Sequence, residues 1–239
     1  MKRSGRLAIF ALLASSILIL CAACSPALSV TVKPDLSGTA TFTAALSQTA
    51  DSIVRRFSKT ETNAKPTATT PLFDKNKIIV SLAHTGIKTD SVEFPSSSSL
   101  NLGVSFPKFD GLLDKAVVLE SGKRKLTVTI SRQSVLAALA LMPPETANYT
   151  DLFMAPVFTG EEMDQNEYEA TIGAAYGKTL AGELKQSIFT LTVHCPSPVT
   201  AAKINAPASA TASGSTAVFK IPLSTLLVLG PSLIASAEW

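Results

Sequence analysis

The side chains through which this chain could do acid–base, nucleophilic or metal chemistry are cysteines, histidines and carboxylates, and their spacing supports little of it. There are only two histidines and three cysteines in 239 residues. His84 and His194 fall in separate predicted strands, and no paired His or Cys spacing suits a metal ion. His194 and Cys195 are neighbours in a predicted strand, which sends them to opposite faces, so Cys195 reads as a small core residue. The pairs Glu161/Glu162 and Glu167/Glu169 sit at or near a predicted helix start, where acids favour the helix dipole. No G-x-S-x-G elbow occurs, and Ser37-Gly38, Ser121-Gly122 and Ser213-Gly214-Ser215 all read as turns. Phosphate- and dinucleotide-binding glycine patterns are absent. No cofactor is expected. Lys123-Arg124-Lys125 is a basic run beside a predicted hairpin turn, with a membrane-facing role as the competing reading. One cluster packs aromatics densely around a proline: Tyr149, Phe153, Met154 and Phe158, with Pro156 between. It serves either as core at a helix junction or as an apolar ligand or partner contact.

Cys24 is placed differently. Met1-Lys2-Arg3-Ser4-Gly5-Arg6 is a short positive segment, Leu7 to Leu20 is uncharged, and Ala22-Ala23 precedes Cys24. An apolar run of this length is short of the ~20 residues a spanning helix needs, and its flanks match an export signal. The stretch resembles the lipobox of bacterial lipoproteins, with Cys21 where Leu is usual, a relaxation seen in spirochaetal lipoproteins especially. The resemblance implies cleavage before Cys24 and diacylglycerol on its thiol. An uncleaved anchor helix and cleavage without lipid are the alternatives. Acyl chains contribute about 0.8 kcal/mol per buried methylene, and stable anchoring needs two signals. Ser25 rather than Asp follows, which in a two-membrane envelope favours the outer membrane.

Loss of residues 1–23 would remove Lys2, Arg3 and Arg6, leaving eighteen bases against eighteen acids. The excess positive charge therefore belongs to the leader, and a neutral domain is a poor nucleic-acid partner. With Cys21 lost and Cys24 acylated, only Cys195 remains, so a hydrophobic core must hold the fold without an intrachain disulfide.

The elements follow from periodicity. Leu28, Val30 and Val32 alternate with Ser29, Thr31 and Lys33, and Ala40, Phe42, Ala44 and Leu46 alternate with threonines. Pro34 to Gly38 turns between them, giving a β-hairpin with one wet face. Leu46, Ala50, Ile53, Val54 and Phe57 continue at helical spacing. Ser58 to Pro71 reads as a loop, Lys77 to His84 as a buried strand, and Leu100 to Phe106 as another after the Ser96–Ser99 run. A helical turn is expected near Leu112 and Leu113. Val117–Glu120 and Lys125–Ser131 form a second hairpin. Ser131 caps a helix over Arg132 to Met142, stopped by Pro143-Pro144, and a further helical stretch covers Thr146 to Met154. Capping sequences at Thr159–Glu162 and Asp164–Glu167 open the longest helix, carrying Tyr168, Ile172, Tyr176, Leu180 and Leu184. Gly173, Gly177 and Gly182 within it suggest a face kept small for close packing. Phe189 to Cys195, Val218 to Ile221 and Leu233 to Trp239 read as strands, with Pro207 to Ser215 a mobile loop. Leu223 to Gly230 is an apolar connector, with a second membrane span as the competing reading.

The order lipobox, strand, Asp35-Leu36-Ser37-Gly38 turn, strand and helix is similar to the LppM-like domain of bacterial lipoproteins. That resemblance implies an exported β-rich domain with packed helices, some members binding lipid in an apolar cavity. Leu233 to Trp239 departs from the C-terminal membrane helix and basic tail that the family often carries. The fold expected is α+β: a mainly antiparallel sheet with helices inserted between N- and C-terminal strands, forming one exported domain over 24–239 after a 1–23 signal peptide. The function expected is a non-catalytic binding or structural module, held on the periplasmic side of the envelope by acyl chains on Cys24. Its partner would be a lipid or an envelope protein. A carrier with an apolar cavity, using Tyr149 to Phe158, is the competing expectation, and a hydrolase the third.

Overall fold

The computed structural model describes residues 26–61, 71–83, 87–109, 116–139, 153, 156 and 159–239. Eleven strands among them form two sheets. The larger has seven strands in the order β3-β4-β2-β1-β7-β10-β9, and the smaller has four in the order β5-β6-β11-β8. The strands of the larger are β1 (Ala27–Val32), β2 (Gly38–Ala45), β3 (Lys88–Glu93), β4 (Ser99–Phe106), β7 (Ile188–His194), β9 (Ser209–Ser213) and β10 (Thr216–Pro222). Those of the smaller are β5 (Val117–Glu120), β6 (Lys125–Ile130), β8 (Ala201–Ile204) and β11 (Leu233–Glu238). Six helices accompany them: α1 (Gln48–Glu61), α2 (Lys75–Ala83), α3 (Arg132–Leu139), α4 (Gln165–Tyr176), α5 (Lys178–Gln186) and α6 (Leu223–Val228). The class is α+β as the periodicity predicts, and all pairings are antiparallel except β1 with β7.

Alternation of side chains makes the larger sheet two-faced. One register row runs Val92, Leu102, Phe42, Leu28, Leu191, Phe219 and Ala210 across all seven strands. The next row is Ser91, Gly103, Thr41, Ser29, Thr192, Val218 and Thr211, facing the other way. Phe42, Leu102, Leu191 and Phe219 are buried, and they join one apolar cluster with Leu126, Val128, Ala235 and Ala237 of the smaller sheet. Burying side chains of that size contributes about 1.5–3 kcal/mol each. The edge strand β3 carries Lys88, Asp90 and Glu93, and its register shifts between Thr89 and Ser91. Charge and a bulge of this kind discourage further strand pairing.

The β1–β2 hairpin turns as predicted. Asp35 Oδ1 accepts from the Ser37 N–H at 3.0 Å and from Ser37 Oγ at 2.7 Å. Those bonds hold the Asp35 carboxyl below its usual pKa. Gly38 lacks a Cβ for a steric reason: one would lie 2.4 Å from the Phe106 ring, which stacks edge-on against Phe109.

Four expectations are corrected. Lys77 to His84 is not a strand, since residues through Ala83 lie in α2 and His84 lies outside the described residues. Asp74 Oδ1 accepts from the N–H groups of Asn76 and Lys77, a helix cap that outweighs the apolar run. Period two would put Ile78, Val80 and Leu82 together, whereas in the helix Leu82 is buried and Val80 is 56% exposed. Pro207 to Ser215 is not a loop throughout, because β9 pairs with β10 from Ser209↔Lys220 to Ser213↔Thr216. The long helix is two helices, broken at Gly177 with φ 97° and ψ 151°. Helix α1 also continues to Glu61, into the expected loop. Strands β3 and β8 appear where no strand was expected.

Leu223 to Gly230 becomes α6, a six-residue helix buried at Leu223, Leu226, Leu227 and Val228 that carries the chain from one sheet to the other. Among the described residues no helix is long and apolar enough to cross a membrane. The helical turn near Leu112 and most of the Thr146–Met154 stretch lie outside the described residues.

Candidate functional site

Cys24 lies outside the described residues, which begin at Pro26. Pro26 is buried, and its carbonyl accepts from the Thr190 N–H at 3.0 Å, one residue before β1 begins. Strand directions make this end of the larger sheet a common base. There β1, β4 and β7 begin, and β2, β3 and β10 end. Backbone bonds close it: the N–H of Leu46 donates to Ser98 O, that of Leu72 to Ser97 O, and that of Leu223 to Ser187 O, each at 2.9 Å.

The Ser96–Ser99 run forms a self-satisfied turn in this base. The Ser96 N–H donates to Ser99 Oγ at 2.7 Å, and Arg55 Nη2 donates to Ser97 Oγ at 3.1 Å. Arg55 is itself buried and paired with Asp51 at 2.9 Å. Phe73 and Phe94 stack beside the turn, half-buried, with ring centroids 6.4 Å apart.

The basic run lies at the opposite end. Lys123 pairs with Glu120 at 2.6 Å and Lys125 with Glu238 at 3.0 Å, while the Trp239 N–H donates to Arg124 O. The Val199 N–H donates to Gly214 O and that of Thr200 to Glu238 O, tying this hairpin to the end of the larger sheet away from Pro26. Hydrogen bonding to Lys123 lowers the pKa of Glu120, and the same contact raises that of Lys123.

Of the aromatic cluster, Phe153 is described, and it is buried. Tyr168 Oη donates to the Phe153 carbonyl at 2.8 Å, and the Phe153 ring lies 5.6 Å from that of Tyr176. Phe153 is thus fixed to α4. Tyr149, Met154 and Phe158 lie outside the described residues.

Between α4 and α5 an open cleft of about 510 Å³ is lined by Asn166, Glu169, Gly173, Lys178, Ala181 and Lys185, among others. The Glu169–Lys185 ion pair at 2.8 Å crosses it. A Cβ on Gly173 would meet that of Ala181 at an ordinary 3.6 Å, so close packing does not demand glycine there. The capping box predicted at Asp164 is present: Asp164 accepts from the Asn166 and Glu167 N–H groups, and Glu167 Oε2 accepts from the Asp164 N–H. On the far side of α5, Glu183 accepts from Ser47 Oγ at 2.5 Å and Thr49 Oγ1 at 2.8 Å. This junction was not foreseen, since only the helix-start character of Ser47 is local and its partner is remote in sequence.

The remaining chemical candidates have structural partners. His194 Nδ1 lies 3.2 Å from Thr216 Oγ1 on the polar face. Cys195 faces the core, and burial pushes its thiol up to about 11, away from the reactive thiolate. Among the described residues no three His, Cys, Asp or Glu side chains converge on a metal position.

No protein-family model matches the chain, and no curated protein matches it. Among solved structures it is similar to the NMR structure of the folded domain of LppM from Mycobacterium tuberculosis, with a TM-score of 0.37 and 11% identity over 90% of this chain and 89% of that one.

Proposed function

We propose that this is a lipid-anchored protein of a bacterial cell envelope. Acyl chains on Cys24 hold it to the membrane, and residues 24–239 form one exported, non-catalytic binding or structural module. The observation that carries the reading is the abrupt change at Cys24. A charged and then apolar leader ends in Cys21-Ala22-Ala23-Cys24, and two residues later the chain is hydrogen-bonded into a central strand. A cleaved leader leaves no remnant to pack, and a triacylated cysteine supplies the two or more chains that stable anchoring needs. The module reading rests on how the polar groups are used: Glu167 and Glu183 brace helix starts, Glu169 bridges two helices, and His194 and Cys195 point to opposite faces. In an envelope with two membranes, Ser25 after the anchor favours the outer one.

Expression with a labelled fatty acid, followed by mass spectrometry of the N-terminal peptide, tests the anchor. The expected product starts at Cys24 and carries acyl chains, and Cys24→Ser loses both label and membrane partition. Retention of label by the variant would refute the assignment.

A further inference from the structure

Resting on the Cys24 reading, we propose that the module stands base-down on the bilayer. The end of the larger sheet where β1 begins faces the lipid headgroups, and the basic hairpin and Trp239 point away. The tether is the first argument. Two peptide units separate the Cα of Cys24 from that of Pro26, which caps the reach at ~7.6 Å whatever their conformation. Pro26 is buried and bonded to Thr190, so there is no slack beyond it. The headgroup layer on each side of a bilayer is about 5–7 Å thick. A lipid attached at Cys24 therefore brings the base into contact with that layer.

Base chemistry is the second argument. Exposed Gln48 opens α1 there, Gln186 closes α5, and the serine turn lies between β3 and β4, giving uncharged hydrogen-bonding groups of headgroup character beside charges of both signs at Glu93, Lys220 and the Asp51–Arg55 pair. The half-buried Phe73–Phe94 stack adds an apolar element on the β3 side. This displaces the reading that the basic run Lys123-Arg124-Lys125 marks the membrane contact. β1 alone, Ala27–Val32, rises about 20 Å from the base. That is more than two Debye lengths at physiological ionic strength, about 8 Å each, so Lys123 and Lys125 add little attraction to anionic lipid. Glu120 and Glu238 already neutralise them.

Trp239 is the chain's one tryptophan, which gives a built-in reporter for the far end. The full acylated protein is reconstituted into vesicles of phosphatidylcholine and phosphatidylglycerol containing headgroup-spin-labelled phosphatidylcholine, a quencher confined to a layer of about 5–7 Å. Wild-type emission is expected to fall by less than about a tenth, whereas the emission added by Gln48→Trp falls by about half or more. Gln186→Trp, on a different helix, is expected to repeat that result and covers a folding failure of the first variant. Quenching of Trp239 equal to or greater than that of the added tryptophans would overturn the orientation, as would quenching of neither. The intact mass of the same sample separates the two ideas. A protein without acyl chains refutes the anchor itself, whereas an acylated protein with the wrong quenching order refutes only the orientation.

Discussion

Glu183 joins α5 to the start of α1, and removing it should cost more than its half-exposed position suggests. Both carboxylate oxygens are used: Oε2 accepts from Ser47 Oγ at 2.5 Å, and Oε1 accepts from Thr49 Oγ1 at 2.8 Å. Ser47 Oγ also accepts the Ala50 N–H at 3.1 Å, so one hydroxyl both caps α1 and docks α5. Hydrogen bonds to a charged group contribute about 1.5–3 kcal/mol each when well shielded. Here water can replace part of each lost bond, so Glu183→Ala is expected to cost about 2–3 kcal/mol in total. For a domain of this size that lowers Tm by roughly 4–12 °C. Ser47→Ala removes the cap as well, at about 0.5–2 kcal/mol. The double variant should cost less than the sum of the two, leaving a coupling of about 1–2 kcal/mol. Urea unfolding followed by circular dichroism measures all four corners of the cycle, with exposed Glu162→Ala as a neutral control. A coupling below about 0.3 kcal/mol, within the scatter of independent sites, would refute the view that this carboxylate fastens the two helices.

Two further outcomes follow from particular residues. Gly177 occupies φ 97°, ψ 151°, a region nearly closed to side chains, so Gly177→Ala should destabilise by about 1–3 kcal/mol in urea unfolding. Gly182 has open space around its Cα within α5, and Gly182→Ala should be neutral or stabilise by about 0.5–1 kcal/mol; equal losses at both sites would contradict this account. The second concerns alkaline pH. Burial raises the Cys195 thiol to about 11, whereas the unfolded thiol ionises near 8.5, so the unfolded chain gives up its proton first. Stability should therefore fall as pH rises from about 8.5 toward 11. Cys195→Ala should lose less between pH 7 and pH 10 than the parent, and an identical loss would mean the thiol does not ionise differentially.

Elements whose burial alternates over a full strand were readable from the chain, and those defined by remote partners were not. The Phe42 and Leu28 strands, the Ser121-Gly122 hairpin and the Asp164 capping box each carry a local signal strong enough to survive tertiary context. The run at Ile78 to Leu82 is too short to separate strand from helix by periodicity, and the cap at Asp74 decided it. β9 (Ser209–Ser213) and β3 (Lys88–Glu93) are edge strands with almost no buried residue, so the composition that resembles a loop is what an exposed edge requires. The helical spacing of Gly177 suggests a residue kept small for packing, yet its backbone angles, invisible in sequence, are what require glycine there. The candidate anchor shows the same division. Cys24 is proposed from its immediate neighbours alone, but which end of the folded strands it lies next to depends on strand directions set by pairing with β7.

On the proposed reading of Cys24, that parallel pairing sets a timetable for secretion. Leu28 and Leu191 lie side by side in the middle of the sheet, although they come from opposite ends of the chain. A chain threaded through an export channel from its N-terminus delivers β1, β2 and β4 early, and these can pair with one another at once. The other flank of β1 then waits, its N–H and C=O groups open, until the final third has crossed. For that interval the molecule is a half-sheet with a sticky seam, held against the membrane surface if the anchor is engaged. Its vulnerability to misassembly should be greatest during export.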